Sequence, residues 1–321
     1  MPPRNGLHPF AGAVVLGLML AGCSSSEFLF ANAPTGFSRV ERRVDVPYTL
    51  ADGKPYGASC GTPDGRPYDE THAADARQKL DVYVPSSSAP GFTGKRPVVI
   101  FWYGGSWIKG SKADYRFVGT ALAKLGFVAV LPDYRLYPQV TFPSFDEDGA
   151  RAVAWVELHA AEFGGDPHRI VLMGHSAGGH TAAFLALNHA FLERFGADSH
   201  DIAGLIGLSG TYAFVPDSAV LRAAFPPPFT ENDWQPVRFV DEQAPPTLLL
   251  HGLADKEVLP QEAMELHDAL VRAHVRVEMH LFPHRGHADT VAPFALLARW
   301  RTPVVDQVAA FVRSVGAEPA P

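Results

Sequence analysis

From Leu80 onward, short apolar runs alternate along the chain with longer stretches in which apolar residues recur at helical spacing. The short runs are continuous rather than alternating, which is typical of strands buried on both faces of a sheet. Strands that alternate with helices predict an α/β fold with a mainly parallel central sheet flanked by helices. The predicted strands are Leu80 to Val84, Val98 to Trp102, Phe127 to Leu131, Ile170 to Met173, Leu205 to Leu208, Thr247 to Leu250 and Val277 to Phe282.

Two of the predicted helices carry start signals. Ser144, followed three residues later by Glu147, is typical of a capping box at a helix N-terminus. Thr302 and Pro303 are predicted to be the N-cap and first residue of a final helix. The segment before the first predicted strand has little periodicity, and we expect only an edge strand near residues 39–46 there.

The first residues have the layout of an export signal. Met1 to His8 contains no acidic residue, and the apolar run that follows from Phe10 to Leu20 is too short for a comfortable transmembrane span. Leu20 to Cys23 (Leu-Ala-Gly-Cys) resembles the bacterial lipobox, which implies cleavage before Cys23 and lipidation of its sulfur. Ser24 to Ser26 suit a flexible tether. An ordinary cleaved signal with a coincidental cysteine is the alternative.

The chain is therefore divided into three predicted parts. Residues 1–22 are a signal peptide, residues 23–78 a lipidated extension and tether, and residues 79–321 the main domain, with a lid or loop insertion at 212–239. We expect an exported protein that is attached to the cell envelope and contacts the membrane through this lipid anchor. In a Gram-negative host, Ser24 would favour the outer membrane; the membrane that carries the anchor stays open.

Composition narrows the classes of protein. Hydrophobic residues make up 47% and charged residues 19%, which is enough apolar material for a core and excludes a wholly disordered chain. The 27 Lys and Arg against 34 Asp and Glu give a net charge of -7, so no nucleic-acid partner is expected. The two cysteines, Cys23 and Cys60, are too few for a disulfide framework or a thiolate zinc cluster.

A strand, a sharp turn and a helix are predicted around residues 174–179, Gly-His-Ser-Ala-Gly-Gly. In this context Gly-x-Ser-x-Gly is typical of a nucleophile elbow, in which a strained turn exposes the serine hydroxyl and the glycines avoid steric clashes. The amide of Ala177, at the start of the helix, points to where an oxyanion would develop. Ser176 is the candidate nucleophile; a Gly-Ser turn without chemistry is the alternative.

A serine nucleophile needs a histidine base and a carboxylate that orients it, here expected in the chain order Ser, Asp, His. Asp255 lies in a loop after a predicted strand, where the sites of open α/β sheets collect, and Glu257 is its nearest rival. His287 is favoured as the base over His284, because Gly286 would let the loop turn that side chain inward. The two histidines have no apparent third ligand, so no metal is predicted.

Glycines directly follow the strand from Val98 to Trp102. Small residues leave backbone N–H groups bare, and such groups stabilise an oxyanion by roughly 3 kcal/mol per donor. Gly105 and Ser106, with Gly104 as their neighbour, are the predicted oxyanion loop, and Ala177 supplies the remaining donor. A plain glycine turn is the alternative.

Six motifs between Lys79 and Val315 together resemble one known fold. They are Leu80 to Pro85 (LDVYVP), Tyr103 to Trp107 (YGGSW), Pro132 to Leu136 (PDYRL), Gly174 to Gly179, His251-Gly252 with Asp255, and Gly286-His287. The chain resembles the α/β-hydrolases, and within them the esterase/lipase branch of hormone-sensitive-lipase-like, kynurenine-formamidase-like and feruloyl-esterase-like carboxylesterases. This resemblance implies an acyl-enzyme hydrolase of small-molecule esters without metal or organic cofactor, with Ser176, Asp255 and His287 as its triad.

The chain departs from the family pattern at Tyr103. The family loop generally begins with His, as in His-Gly-Gly-x-Trp. Because the oxyanion donors are backbone amides, the oxyanion hole should survive, but the support of the loop and the acyl pocket are expected to differ. The resemblance implies that Tyr134 and Arg135 brace this loop.

Several alternatives stay open. The triad does not choose between esters and amides, so an aryl formamidase or amidase is the nearest alternative, and a catalytically inert, lipid-anchored binding protein is another. A peptidase is less expected, because no propeller or other gating domain is predicted. The aromatic residues of 212–239 either line a substrate pocket or simply pack the segment. The oligomeric state is not predicted.

Overall fold

Eight strands build the central sheet of the computed structural model, which describes residues 25–33, 35, 40–49, 75–86 and 94–315. The strands are β1 (Glu41–Pro47), β2 (Lys79–Val84), β3 (Arg96–Trp102), β4 (Val128–Pro132), β5 (Gly165–His175), β6 (Ile202–Leu208), β7 (Thr247–Gly252) and β8 (Val277–Phe282). Their order across the sheet is β1-β2-β4-β3-β5-β6-β7-β8. Only the pairings of β2 with β1 and β4 are antiparallel among these strands. The predicted fold class is confirmed.

Helices cover this sheet because each connection between parallel strands must cross over one of its faces. The α-helices of the described residues are α1 (Ser25–Asn32), α2 (Arg116–Lys124), α3 (Ser144–His159), α4 (Ala177–Leu187), α5 (His189–Glu193), α6 (Ala219–Ala224), α7 (Glu231–Trp234), α8 (Gln261–Arg272) and α9 (Val304–Val315). Helix α4 is buried along its whole length, packed between β5, β6 and α3. Helix α8 buries only one stripe, as expected for a surface helix.

All seven predicted strands are present, and β1 confirms the predicted edge strand. Both predicted helix caps are wrong. Ser144 is the first residue of α3, with Pro143 at the N-cap and no side-chain capping bond. The Thr302 hydroxyl donates instead to the carbonyl of Asp289 at 3.1 Å, and the start of α9 is closed through the carbonyl of Pro303. Local sequence signals failed at these two positions because Ser144 lies inside the helix rather than before it and the Thr302 hydroxyl bonds a neighbouring loop.

The N-terminal segment packs against the body where a tether was expected. Helix α1 already includes Ser25, and the Phe28 ring lies 5.0 Å from the ring of Tyr115. The Asn32 side chain donates to the carbonyl of Asp114 at 2.7 Å and accepts from the amide of Phe117 at 3.0 Å. The predicted tether therefore does not extend over Ser25 and Ser26, which lie in this helix.

The predicted lipidation site, Cys23, lies outside the described residues, as do Ser24 and Cys60. Within the described part of the chain, no helix is both long and apolar enough to cross a membrane.

Four parallel strands end at the edge of the sheet where the candidate residues lie. Strands β3, β5, β7 and β8 end at Trp102, His175, Gly252 and Phe282, and each of the predicted site loops begins directly after one of these ends. Because the carboxyl ends of parallel strands share one edge, the topology brings segments that are distant in sequence to the same place.

Candidate active site

Ser176 occupies a strained turn between β5 and α4. Its backbone has φ +56° and ψ −125°, a region that residues with a side chain rarely adopt. Its amide donates to the carbonyl of Leu208 at 3.1 Å, at the end of the neighbouring strand β6. Ser176 is partly exposed, while His175 and Ala177 on either side are buried. The turn therefore presents the serine side chain at the surface of the sheet edge.

The glycines of this turn are required by close backbone contacts. A Cβ atom on Gly174 would lie 1.9 Å from the carbonyl oxygen of Gly178, and one on Gly178 would lie 2.2 Å from that of Trp102. A Cβ atom on Gly104 would lie 2.8 Å from the Cβ of Ser176. No side chain fits at these distances, so the three glycines allow the β3 loop and α4 to close around Ser176.

Asp255 and His287 form a hydrogen-bonded pair between the loops after β7 and β8. The Nδ1 atom of His287 lies 2.8 Å from Oδ2 of Asp255. The other carboxylate oxygen, Oδ1, accepts from the amides of Glu257 and Val258, both at 3.0 Å. Since both partners of the pair are buried, the carboxylate fixes the orientation of the imidazole and the tautomer with a proton on Nδ1.

Asp255 is held in its charged form. Burial raises its pKa, but hydrogen bonds from His251 and His287 outweigh burial, and the pKa lies well below the ordinary range of an aspartate. His251 is fully buried, and its Nε2 lies 3.3 Å from Oδ2 of Asp255 and 3.0 Å from the carbonyl of Val258. Asp255 is thus a carboxylate throughout the neutral pH range.

The two rival residues lie elsewhere. Glu257 is exposed, and only its backbone amide contacts Asp255. His284 is exposed, in a left-handed conformation with φ +59°. The expected role of Gly286 is wrong, since its φ is −98° and no atom lies within 4 Å of a Cβ built there. The loop is held instead by Asp289, which accepts from the amide of Gly286 at 2.8 Å and pairs with Arg301.

The His287 loop rests directly against the serine turn. The Nε2 atom of His175 lies 3.2 Å from the carbonyl oxygen of His287 and therefore donates to it, and the two rings are 4.7 Å apart. Burial, and next the neighbouring His287, lower the pKa of His175 to about 3, so His175 is a neutral donor. The residue before Ser176 thus links the serine turn to the candidate base.

The loop after β3 has the conformation of a tight backbone turn. Gly105 has φ +132°, and Ser106 and Trp107 follow at φ +54° and +59°. The amides of Ile108 and Lys109 donate to the carbonyl of Gly105 at 3.0 and 3.2 Å. These bonds use the carbonyl of Gly105 and leave the amides of Gly105 and Ser106 outside the turn's own hydrogen bonding.

Residues 212–239 pack onto this loop through aromatic side chains. The Trp107 ring lies 5.3 Å from Phe214 and 4.8 Å from Phe225, and Phe225 and Trp234 are almost fully buried. His180 of α4 donates from Nε2 to the carbonyl of Trp234 at 2.7 Å. The aromatic residues were expected either to line a substrate pocket or to pack the segment. These contacts support packing.

Three supporting residues were missed by the sequence interpretation. His251 carries a weak signal, since it stands four residues before Asp255 in the His-Gly pair. Arg77 and Arg301 carry none, because each reaches its partners through long-range contacts. Among the described residues, no cluster of three His, Cys, Asp or Glu side chains is arranged to hold a metal ion.

A mainly parallel sheet of this order, with a strained serine turn after its fifth strand, defines an α/β-hydrolase. The family model for the prolyl oligopeptidase family matches residues 150–312, about half of the chain, and the model named BD-FAE matches residues 80–214. The chain belongs to the prolyl oligopeptidase family.

Several similar proteins are named as esterases. A probable isoprenylcysteine alpha-carbonyl methylesterase of Arabidopsis thaliana is 31% identical over 66% of this chain and 55% of the relative. Esterase LipC of Mycobacterium tuberculosis is 31% identical over 75% of this chain and 63% of the relative. The chain thus spans just over half the length of the plant relative.

Solved structures agree on the fold. Esterase 2 of Thermogutta terrifontis superposes with a TM-score of 0.63 and 26% identity, covering 75% of this chain and 92% of that one. A carbohydrate esterase from gut microbiota superposes with a TM-score of 0.67, covering 87% of this chain and 97% of that one, and at 21% identity it supports the fold alone.

Proposed function

We propose that the protein hydrolyses carboxylic esters through an acyl-enzyme intermediate on Ser176. In this mechanism the Ser176 hydroxyl attacks the ester carbonyl while Nε2 of His287 takes its proton. His287 then gives that proton to the leaving alcohol. A water molecule, deprotonated by His287, attacks the acyl-enzyme and releases the acid.

Asp255 orients and stabilises the imidazolium that forms at His287. The observation that carries the proposal is the 2.8 Å bond between His287 and a carboxylate held charged, in a loop that contacts the strained serine turn. A buried anion beside the imidazole lowers the free energy of the protonated base, and its fixed geometry preserves the tautomer that leaves Nε2 free to accept.

The amides of Gly105, Ser106 and Ala177 are the proposed donors to the oxyanion, with Gly104 keeping the loop against Ser176. Ala177 is the first residue of α4, so its amide lacks an intrahelical acceptor and lies at the positive end of the helix dipole. The loop after β3, which lies against Ser176 at Gly104, supplies the other two amides.

Hydrolysis of a p-nitrophenyl ester series from acetate to palmitate tests this function, using the chain from Ser24 onward beside its Ser176→Ala variant. We expect the wild type to hydrolyse these esters and the variant to lose this activity. The acyl chain length that is hydrolysed fastest reports the size of the acyl pocket. No turnover of any ester by folded protein, with hydrolysis of an N-formyl anilide instead, would contradict ester hydrolysis in favour of a formamidase.

We also propose that Cys23 carries a lipid anchor that holds the enzyme at the cell envelope. The Leu-Ala-Gly-Cys sequence supports this, and so do Leu29 and Phe30 of α1, which are 72% and 59% exposed only a few residues further along. Since α1 is packed on the body, the anchor would keep the enzyme close to the bilayer. Metabolic labelling with a palmitate analogue, beside Cys23→Ser, tests it; equal labelling of both proteins would contradict the anchor.

A further inference from the structure

Arg77 fastens the loop that follows β3 at both of its ends. Its guanidinium donates from Nη2 to the hydroxyl of Tyr103 at 2.9 Å and to the carbonyl of Gly110 at 2.6 Å. Its Nε donates to the carbonyl of Tyr134 at 2.9 Å. Tyr103 and Gly110 flank the tight turn that contains Gly104, Gly105 and Ser106, so one side chain bridges the start and the end of this turn.

Tyr103, at the start of the turn, is itself held by several contacts. Its hydroxyl accepts from Nη2 of Arg77 at 2.9 Å. Its carbonyl accepts from the hydroxyl of Tyr134 at 2.9 Å, and the two tyrosine rings stack 4.7 Å apart. The tyrosine is therefore held at its backbone, its ring and its hydroxyl.

The turn depends on being held from outside. Gly105, Ser106 and Trp107 all have positive φ values, and the last two do so with side chains, at an energetic cost that neighbouring contacts must offset. Gly110, the far end, has φ +107°, and a Cβ there would lie 2.8 Å from the carbonyl of Gly104. A loop with so little internal freedom keeps its amides in place only while both ends stay fixed.

We propose that Arg77 and Tyr103 are positioning residues that hold the amides of Gly105 and Ser106 in the geometry needed to bind the oxyanion. The inference rests on the proposed function of this loop and deepens it. Arg77 is suited to the task because a planar guanidinium bonds three acceptors at once, which a lysine ammonium on a flexible stem cannot do at the same sites.

Two variants test the proposal in the full-length protein. Tyr103→Phe removes only the hydroxyl. Arg77→Lys keeps the positive charge but loses the planar guanidinium that bonds three acceptors. We expect each to lower kcat for a p-nitrophenyl ester by about tenfold while KM changes less than about twofold, because misplaced oxyanion donors weaken the transition state. The affinity for an alkyl trifluoromethyl ketone, whose hemiketal oxygen occupies the oxyanion hole, should fall by the same factor as kcat.

Matched controls separate positioning from stability. Tyr48→Phe removes a buried hydroxyl that donates to the backbone carbonyl of Asp133 at 2.7 Å and does not bond Arg77 or Tyr103. Arg96→Lys disturbs an arginine that donates to the carbonyl of Gly126 at 3.0 Å, at the start of β3. We expect both to lower the thermal midpoint as much as the test variants do, with kcat unchanged.

The proposal is overturned if Tyr103→Phe and Arg77→Lys lose thermal stability while kcat and ketone affinity stay within about twofold of the wild type. If the wild type hydrolyses no ester, that result contradicts the proposed function and does not test the positioning role. In that case the rate at which a fluorophosphonate labels Ser176 replaces kcat. Slower labelling of both variants supports the positioning role, and unchanged or absent labelling overturns it.

Discussion

The serine turn and the acid–base loops reach the same edge of the sheet by different physical means. The serine turn is held by steric fit, since the glycines at 174 and 178 let backbone atoms approach where no Cβ could lie. The acid–base loops are held by hydrogen bonds, from His251 and two amides to Asp255 and from the amide of Gly286 to Asp289. A local steric demand leaves a motif in the sequence, whereas long-range hydrogen bonds do not.

Two buried aspartates show the same contrast in their charge. Asp146 is fully buried near α4, and burial raises its pKa to about 8 although the Thr181 hydroxyl donates to it at 2.8 Å. Asp255 is also buried, yet several hydrogen-bond donors hold its pKa well below the usual range. The packing around α4 thus favours a neutral acid, and the loop after β7 favours an anion.

The largest effect is expected from Asp255→Asn, which should lower kcat for a p-nitrophenyl ester by about 10⁴-fold. The amide can donate to Nδ1 of His287 and would then stabilise the tautomer that cannot accept the serine proton. Glu257→Gln is the matched control, because that exposed carboxylate does not contact the pair, and it should retain wild-type kcat. Activity within about tenfold of wild type for Asp255→Asn would remove Asp255 from the mechanism.

Next in size is Gly178→Ala, which should destabilise the folded protein by about 3 kcal/mol or more. The added Cβ would lie 2.2 Å from the carbonyl oxygen of Trp102 and 2.5 Å from that of Tyr103, so the strand end or the helix must move. Urea denaturation measures the change in the free energy of unfolding. A change below about 1 kcal/mol would show that the turn adapts and that its glycines are not sterically required.

A smaller, pH-dependent effect is expected from Asp146→Asn. The folded-state pKa of Asp146 is about 8, above its ordinary value of 3.8, so the wild type loses stability as pH rises through this interval. An asparagine removes that loss and can still accept from Thr181. The thermal midpoint of the variant relative to wild type should therefore rise between pH 5 and pH 8.5. A difference that is constant or falls with pH would contradict a neutral Asp146.

The smallest effect is expected from Gly286→Ala, the counterpart of Gly178→Ala in the other region. Its φ of −98° suits alanine, and no atom lies within 4 Å of the added Cβ. The free energy of unfolding should stay within about 0.5 kcal/mol of wild type, and kcat within about twofold. A large loss of kcat here would restore the role that the sequence interpretation assigned to this glycine and weaken the contrast between the two regions.

Much of the fold was predictable from the sequence because burial on both faces leaves continuous apolar runs. Seven strands were identified this way, whereas the exposed edge strand β1 has no such run and the caps at Ser144 and Thr302 were predicted wrongly. A cap depends on which donor or acceptor a neighbouring segment offers, and the Thr302 hydroxyl bonds Asp289 in a different loop. The N-terminal helix was missed for the same reason, since Phe28 and Asn32 are held by residues more than eighty positions away.

The sequence by itself determined the α/β class and singled out Ser176, because a residue in a strained turn between a strand and a helix imposes small neighbours within a few positions. It favoured Asp255 over Glu257 and His287 over His284, but its local argument for His287, the conformational freedom of Gly286, was wrong. Only the tertiary structure decided which carboxylate meets which imidazole, since that pairing is set by where β7 and β8 end. It alone also revealed Arg77, whose three acceptors lie 26 to 57 residues away and meet only when the sheet is assembled.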